Sequence, residues 1–145
     1  MFEALAIMQW LGEAYGVKRG LWPAANDPAR LTALAWSTWA YVTYGTVVVR
    51  LQFATSERLG SEFHNSAQAE LARKELQQLL SLLEARLSEQ KYLLGEAYSL
   101  VDLIVCGVVA YSLFFGTPLE SHPRVNAWLQ ACQSRPAFQV GMAAA

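Results

Sequence analysis

The sequence contains little charge, and its positive and negative charges are balanced. Only 16% of the 145 residues are Asp, Glu, Lys or Arg, and 11 basic against 12 acidic residues give a formal net charge of -1. No run of like charges occurs, whereas nucleic acids and anionic membrane surfaces are bound by clustered cations. We therefore expect neither a nucleic-acid partner nor a membrane partner.

Cysteine and histidine are scarce, at two residues each. Cys106 and Cys132 stand 26 positions apart in apolar surroundings, without the spacing of a metal or redox motif, so we predict buried free thiols in a reducing compartment. His64 and His122 lack a Ser, Cys or Asp partner at triad or metal-ligand spacing. His122 precedes Pro123 and is predicted to serve a local turn. We expect no metal site and no catalytic residue in this chain.

A membrane-length hydrophobic run and a secretion signal are also lacking. The stretch from Leu103 to Phe115 is apolar except for Ser112, but its 13 residues are fewer than the roughly 20 that span a bilayer. This length predicts a core helix that is buried on all sides. Because no basic region followed by a small-residue cleavage site opens the chain, we expect a cytoplasmic location.

Hydrophobic residues are abundant instead, at 54% of the sequence. Their pattern and the position of the turn residues indicate three regions. Residues 1–16 predict one helix that is apolar around most of its circumference and ends near Gly16. Residues 17–27 contain Gly20, Pro23 and Asn26 and indicate a linker. Residues 28–145 are predicted to form one helical domain.

Start signals and apolar spacing indicate the helices of this domain. Asp27 followed by Pro28 is typical of a helix start. Residues 41–53 are rich in β-branched and aromatic types, so helix and strand both remain open there, with helix favoured. Asn65 precedes a regular apolar stripe, which predicts a long helix over residues 66–90; the stripe comprises Leu76, Leu79, Leu80, Leu83 and Leu87.

A capping box marks the start of the apolar helix that follows. Ser99 and Asp102 have the spacing at which each side chain bonds the other's backbone amide, and Tyr98 can pack on Leu103 as a hydrophobic staple. A buried helix needs such partners, because its first amides are not reached by water. With five or six helices and no convincing strand, the sequence predicts an all-α bundle.

Several of these stretches, in order and over nearly the whole chain, resemble the glutathione S-transferases. They are "FEALAIMQWLGEAYG", "LWP" followed by "DPAR", "YLLGEAYSLVDLIV", "HPRVNAWLQAC" and "RPAF". The resemblance implies that residues 28–145 are the all-helical C-terminal domain of that family. It also implies that residues 1–16 are the last helix, and the remnant, of the thioredoxin-like domain that normally precedes it. That domain carries the catalytic residue and most glutathione contacts, so we expect no cofactor for this chain alone and glutathione only with a thioredoxin-like partner.

The resemblance also points to two groups of candidate site residues. Family members often have Glu-Ser at the position of Glu3-Ala4, where both side chains hold the γ-glutamyl end of glutathione. Here Glu3 is a relic of that site, and Ala4 cannot donate the second hydrogen bond. Thr32, Trp36 and Trp39 share one helical face, and the matching helix in the family lines the cleft for the hydrophobic co-substrate. The alternative is that these tryptophans pack in the core or against another domain.

Three functions remain open from the sequence. The first, which the sequence favours, is a stand-alone domain without catalytic activity that acts in protein–protein interaction or dimerisation. The second is the substrate-binding half of a glutathione transferase that works with a thioredoxin-like half. The third is a binder of apolar aromatic small molecules. We expect a homodimer or heteromer that forms through the N-terminal helix and residues 28–90.

Overall fold

The computed structural model describes residues 2–56 and 60–143, and in these residues it contains seven α-helices and no strand. The helices are α1 (Ala4–Leu11), α2 (Ala29–Thr38), α3 (Gly45–Thr55), α4 (Ser66–Glu89), α5 (Leu100–Leu113), α6 (Pro123–Gln133) and α7 (Pro136–Ala143). The predicted all-α class is confirmed. No helix in the described part of the chain is long and apolar enough to cross a membrane.

The helical path of the first region is longer than predicted. A π-helical turn over Gly12–Gly16 and a 3₁₀ turn over Val17–Arg19 continue α1. Gly20 ends the path in a left-handed conformation with φ 67°, which glycine adopts without steric strain. The predicted end near Gly16 was therefore too early, because Gly16 remains helical and the left-handed stop lies at Gly20.

The ambiguous segment 41–53 is helical throughout. A π-helical turn over Trp39–Tyr44 joins α2 to α3, so that residues 29–55 form one long helical path. The buried side chains in this segment are Tyr44, Val47, Val48 and Leu51, and α3 packs along α4 while the π-helical turn packs on α5. These four side chains are buried at helical spacing. Their burial outweighs the strand preference of the β-branched residues, since tertiary packing routinely overrides intrinsic propensity.

The centre of the bundle is α5, which contacts α2, the π-helical turn Trp39–Tyr44 and α6. Helix α4, which packs on α3 and α6, begins after Asn65, whose side chain accepts a hydrogen bond from the Gln68 amide at 3.0 Å. The α4 leucine stripe faces the core as predicted. The first amides of α6 are satisfied from α4, because the Glu84 carboxylate accepts from the amides of Arg124 and Val125 at 3.1 and 2.9 Å.

Candidate functional site

Asp102, in the first turn of α5, accepts four hydrogen bonds although its side chain is completely buried. Its Oδ2 accepts from the backbone amide and the hydroxyl of Ser99 at 2.9 and 2.7 Å. Its Oδ1 accepts from the amide of Leu93 at 2.9 Å and from the indole Nε1 of Trp128 at 3.0 Å. One carboxylate thus joins the start of α5, the preceding loop and α6. This arrangement is structural, since every acceptor direction is occupied by the protein itself.

The residues around this capping box have packing roles as well. The Tyr98 ring stands edge-on to Tyr92 at 5.7 Å, and the Arg135 guanidinium lies 3.8 Å from the Tyr98 ring centroid. Burial raises the pKa of the Tyr98 hydroxyl, so this side chain is neutral at physiological pH. Leu103 is partly buried, and the packing of Tyr98 against Leu103 stays a prediction.

An aromatic cluster lies where α2 passes into the π-helical turn. Trp36 and Trp39 meet edge-to-face with ring centroids 5.1 Å apart, and Trp39 contacts Tyr44 at 5.3 Å. Both tryptophans are partly buried against the core, and the Trp39 indole nitrogen is buried without a hydrogen-bond partner among the described residues. Thr32 is also partly buried, two turns before Trp39. The structure therefore brings two of the three predicted cleft residues into contact.

The surface of α1 is apolar and open. Apart from Gln9, every residue of this helix is apolar, yet none of its eight residues is buried. Trp10 and Tyr15 pack edge-to-face at 5.7 Å, and about half of each side chain is exposed. Met8 packs against the core and α1 contacts α5, while Trp10 leaves apolar area exposed to solvent.

Glu3 directly precedes α1 in a strained backbone conformation. Its φ of 66° and ψ of 99° make it the one non-glycine residue with positive φ in the described part of the chain. A non-glycine residue rarely adopts a positive φ, because its Cβ atom then meets the neighbouring backbone. The Glu3 side chain is exposed and does not cap α1.

A polar cluster ties the α1 path to the linker and to α2. The Glu13 carboxylate accepts from the Trp22 indole at 2.9 Å and from the Arg30 guanidinium at 3.0 Å, and it forms an ion pair with Arg30. The hydrogen bond from Arg30, followed by that from Trp22, lowers the pKa of Glu13. Sequence analysis missed this cluster, because its members lie 9 and 17 residues apart and follow no helical or strand period.

The cysteines and histidines show no catalytic arrangement in the described residues. Cys106 and Cys132 are buried free thiols, and their mutual hydrogen bond, together with burial, raises the pKa of the Cys132 thiol. His122 is buried before α6, with Nε2 3.1 Å from the Ser81 hydroxyl. His64 is exposed, with Nε2 3.0 Å from the Ser56 carbonyl. The Ser81 hydroxyl donates to the Gln77 carbonyl at 2.9 Å and therefore accepts from His122 Nε2, so His122 does not act as a base on this hydroxyl.

Comparison with known proteins identifies the family. Residues 39–136 match the family model described as glutathione S-transferase, C-terminal domain. This chain belongs to the glutathione S-transferase family. Among curated members, a glutathione S-transferase from Hyoscyamus muticus is 32% identical over 95% of this chain and 66% of its own length. Glutathione S-transferase GstB from Escherichia coli K12 is 30% identical over 96% of this chain and 65% of its own length.

The fold agrees with this glutathione S-transferase assignment. The crystal structure of a glutathione transferase from Burkholderia graminis, with two glutathione molecules bound per subunit, superposes with a TM-score of 0.84 at 26% identity. The match covers 97% of this chain and 59% of that one. The chain spans 66% and 65% of the length of these two curated relatives, which is slightly less than two-thirds.

Proposed function

We propose that this chain is the substrate-binding half of a glutathione transferase and works with a thioredoxin-like domain that docks on α1. The observation that carries the proposal is the open apolar surface of α1, which lies beside a helical bundle of the transferase family. The sequence alone favours a non-catalytic interaction domain, but the curated relatives are transferases and support the substrate-binding role instead. Without the thioredoxin-like domain, we expect neither glutathione binding nor catalysis.

Glu3 would contribute to glutathione binding from this half. Its strained backbone stands at the N-terminal end of α1, where an acidic group could receive the ammonium of the γ-glutamyl moiety. Ala4 has no hydroxyl to donate to the glutathione carboxylate. Because a hydrogen bond to a charged group contributes about 1.5–3 kcal/mol, Ala4→Ser should lower the KM for glutathione by about ten- to a hundredfold in the complete enzyme.

The aromatic cluster would receive the apolar co-substrate. Trp36 is only partly buried and stands edge-on to Trp39, so the pair offers a fixed apolar wall toward the side of α2 that carries Thr32. Such walls with few polar groups are typical of small-molecule sites. The same surface would serve the third function, a binder of apolar aromatic molecules, if no thioredoxin-like domain were engaged.

The test joins a thioredoxin-like domain from a glutathione transferase to this chain and measures conjugation of glutathione to 1-chloro-2,4-dinitrobenzene. We expect Trp36→Ala to raise the KM for the chloro compound at least fivefold and to leave the KM for glutathione within twofold. Thr32→Val tests the same cleft with less risk to folding. The matched control is Phe114→Ala, which removes an aromatic ring that is 83% exposed after α5. Equal effects of Trp36→Ala and Phe114→Ala would contradict the cleft assignment.

We further propose that the chain forms a homodimer through residues 28–90 and is located in the cytoplasm. Exposed apolar side chains on this region support the interface, and they include Leu31, Val42, Val49, Phe53, Phe63, Leu71 and Leu82. Phe53 and Phe63 pair with ring centroids 6.4 Å apart. Light scattering coupled to size exclusion should give twice the 16.1 kDa chain mass, and Phe53→Glu should give one chain mass. A dimer that survives Phe53→Glu, or a monomeric wild type, would reject this interface.

A further inference from the structure

We propose that a cavity between the end of α4 and α6 binds a small planar aromatic carboxylate. The cavity has a volume of about 310 Å³ and is lined by Leu87, Lys91, Tyr92, Arg124, Trp128 and two alanines of α6. None of these residues belongs to α1 or to the Trp36–Trp39 cluster. Its volume is at the lower end of the range for small-molecule sites, which is roughly 300–1,000 Å³, and so suits a ligand of one or two fused rings.

Two aromatic side chains form walls whose orientation is fixed before any ligand arrives. The Trp128 indole is held by its hydrogen bond to Asp102 at 3.0 Å. Tyr92 is held through its backbone, which exchanges hydrogen bonds with Gly95 at 2.8 and 3.1 Å, and through the edge-on contact of its ring with Tyr98. Because these walls need no further ordering, a flat ligand would lose little affinity to rearrangement of the protein.

The charge around the cavity selects an anion. Lys91 and Arg124 both line it, and no acidic residue is among the described lining residues. The Lys91 ammonium lies 5.5 Å from the centroid of the Tyr92 ring, so a cation stands beside an aromatic wall. The Glu84 carboxylate of α4 lies near Arg124 in the fold, but it accepts hydrogen bonds from the backbone amides of Arg124 and Val125 at 3.1 and 2.9 Å. In the described structure neither cationic head group forms an ion pair, so both are available to a ligand.

These two features together specify the ligand class. The aromatic walls favour a planar ring system. Contacts between aromatic faces and edges contribute binding energy in addition to that of the buried apolar area. The guanidinium of Arg124 matches a carboxylate with two parallel hydrogen bonds, a geometry that a neutral amide or an alcohol cannot reproduce. The cavity is therefore complementary to an aromatic ring that carries one carboxylate.

The test titrates the whole chain with 2-naphthoate and, as a neutral isostere, with 2-naphthamide, using calorimetry at low salt. We expect the acid to bind about five- to tenfold more tightly than the amide, because Lys91 and Arg124 are exposed and exposed charges each contribute little. The double variant Lys91→Gln/Arg124→Gln should remove this preference. The control variant Lys18→Gln/Arg19→Gln makes the same charge change on exposed residues that do not line the cavity. It should retain the preference for the acid. No binding, equal binding of acid and amide, or equal effects of the two double variants would overturn the proposal.

A second readout locates the bound probe. The indole N–H resonance of Trp128, assigned with Trp128→Phe, should shift during the 2-naphthoate titration. The corresponding resonance of Trp22, whose indole is held by Glu13 in another part of the fold, should not shift. A shift of Trp22 without a shift of Trp128 would place the ligand elsewhere and reject the cavity. This result is independent of whether the chain supports glutathione conjugation.

Discussion

Asp102 shows how a single residue connects three parts of this fold. Asp102→Ala would leave the amides of Ser99 and Leu93 and the indole of Trp128 buried without an acceptor, and each unsatisfied buried donor costs about 1–3 kcal/mol. We expect the free energy of unfolding to fall by about 3–5 kcal/mol, measured by urea denaturation.

A matched control for this variant is Asp27→Ala. The Asp27 carboxylate is exposed and accepts from the Ala29 amide at 2.8 Å, so its loss should cost about 1 kcal/mol. If the two Asp→Ala variants lost equal stability, the role assigned to the buried carboxylate would be wrong.

Tyr44 predicts how stability depends on alkaline pH. Burial raises the pKa of its hydroxyl from 10.0 to about 12, and the hydroxyl is 2.9 Å from that of Ser112. Between these two pKa values the unfolded chain loses the proton while the folded chain keeps it, so the unfolded state binds fewer protons and stability falls as pH rises from 10 to 12. Tyr44→Phe should be less stable at pH 7 by about 1 kcal/mol and should lose less stability over that alkaline range.

Urea denaturation at several pH values tests this prediction. Tyr98, whose pKa is also raised by burial, remains in the variant, so the alkaline loss should become smaller without disappearing. An unchanged slope in Tyr44→Phe would show that folding does not raise the pKa of Tyr44, and it would contradict this prediction.

At the scale of the elements, the α1 path is attached to the bundle through a close contact at a glycine. A Cβ atom on Gly12 would lie 2.6 Å from the Trp22 ring, and Trp22 is almost fully buried. Gly12→Ala should therefore destabilise the protein by about 1–3 kcal/mol, since the ring must move.

The control is a second glycine inside a helix. Gly107 in α5 is exposed, and a Cβ atom there would meet nothing within 4 Å. Gly107→Ala should stabilise the protein by about 0.5–1 kcal/mol, because alanine loses less backbone entropy in a helix. Thermal unfolding should thus move in opposite directions for these two Gly→Ala variants. A shift in the same direction would contradict the close packing of Gly12 on Trp22.

Local signals in the sequence predicted the elements better than the contacts between them. The leucine stripe of α4 and the spacing of Ser99 and Asp102 are encoded within one or two helical turns, so they could be found without the structure. The helical state of residues 41–53 depends on packing against α4 and α5, which no local pattern contains. The Glu13–Trp22–Arg30 cluster and the Asp102–Trp128 bond likewise required the tertiary structure, because their partners are distant in sequence.

At the scale of the whole molecule, the site was less predictable than the fold. Thr32, Trp36 and Trp39 were placed on one helical face by spacing, but spacing could not show that Trp39 packs against Tyr44 in a π-helical turn. The open surface of α1 was indicated by its composition, whereas the strain at Glu3 is a backbone property that no residue pattern reveals. The remaining question at this scale is whether α1 meets a thioredoxin-like domain.

The measurement that tests this claim most directly is the rate of glutathione conjugation to 1-chloro-2,4-dinitrobenzene by the chain alone and by the chain joined to a thioredoxin-like domain. We expect no rate above the uncatalysed reaction for the chain alone and a rate at least a hundredfold higher for the joined protein, because positioning and acid–base groups contribute at least this much. Conjugation by the chain alone, or a folded joined protein without activity, would contradict it.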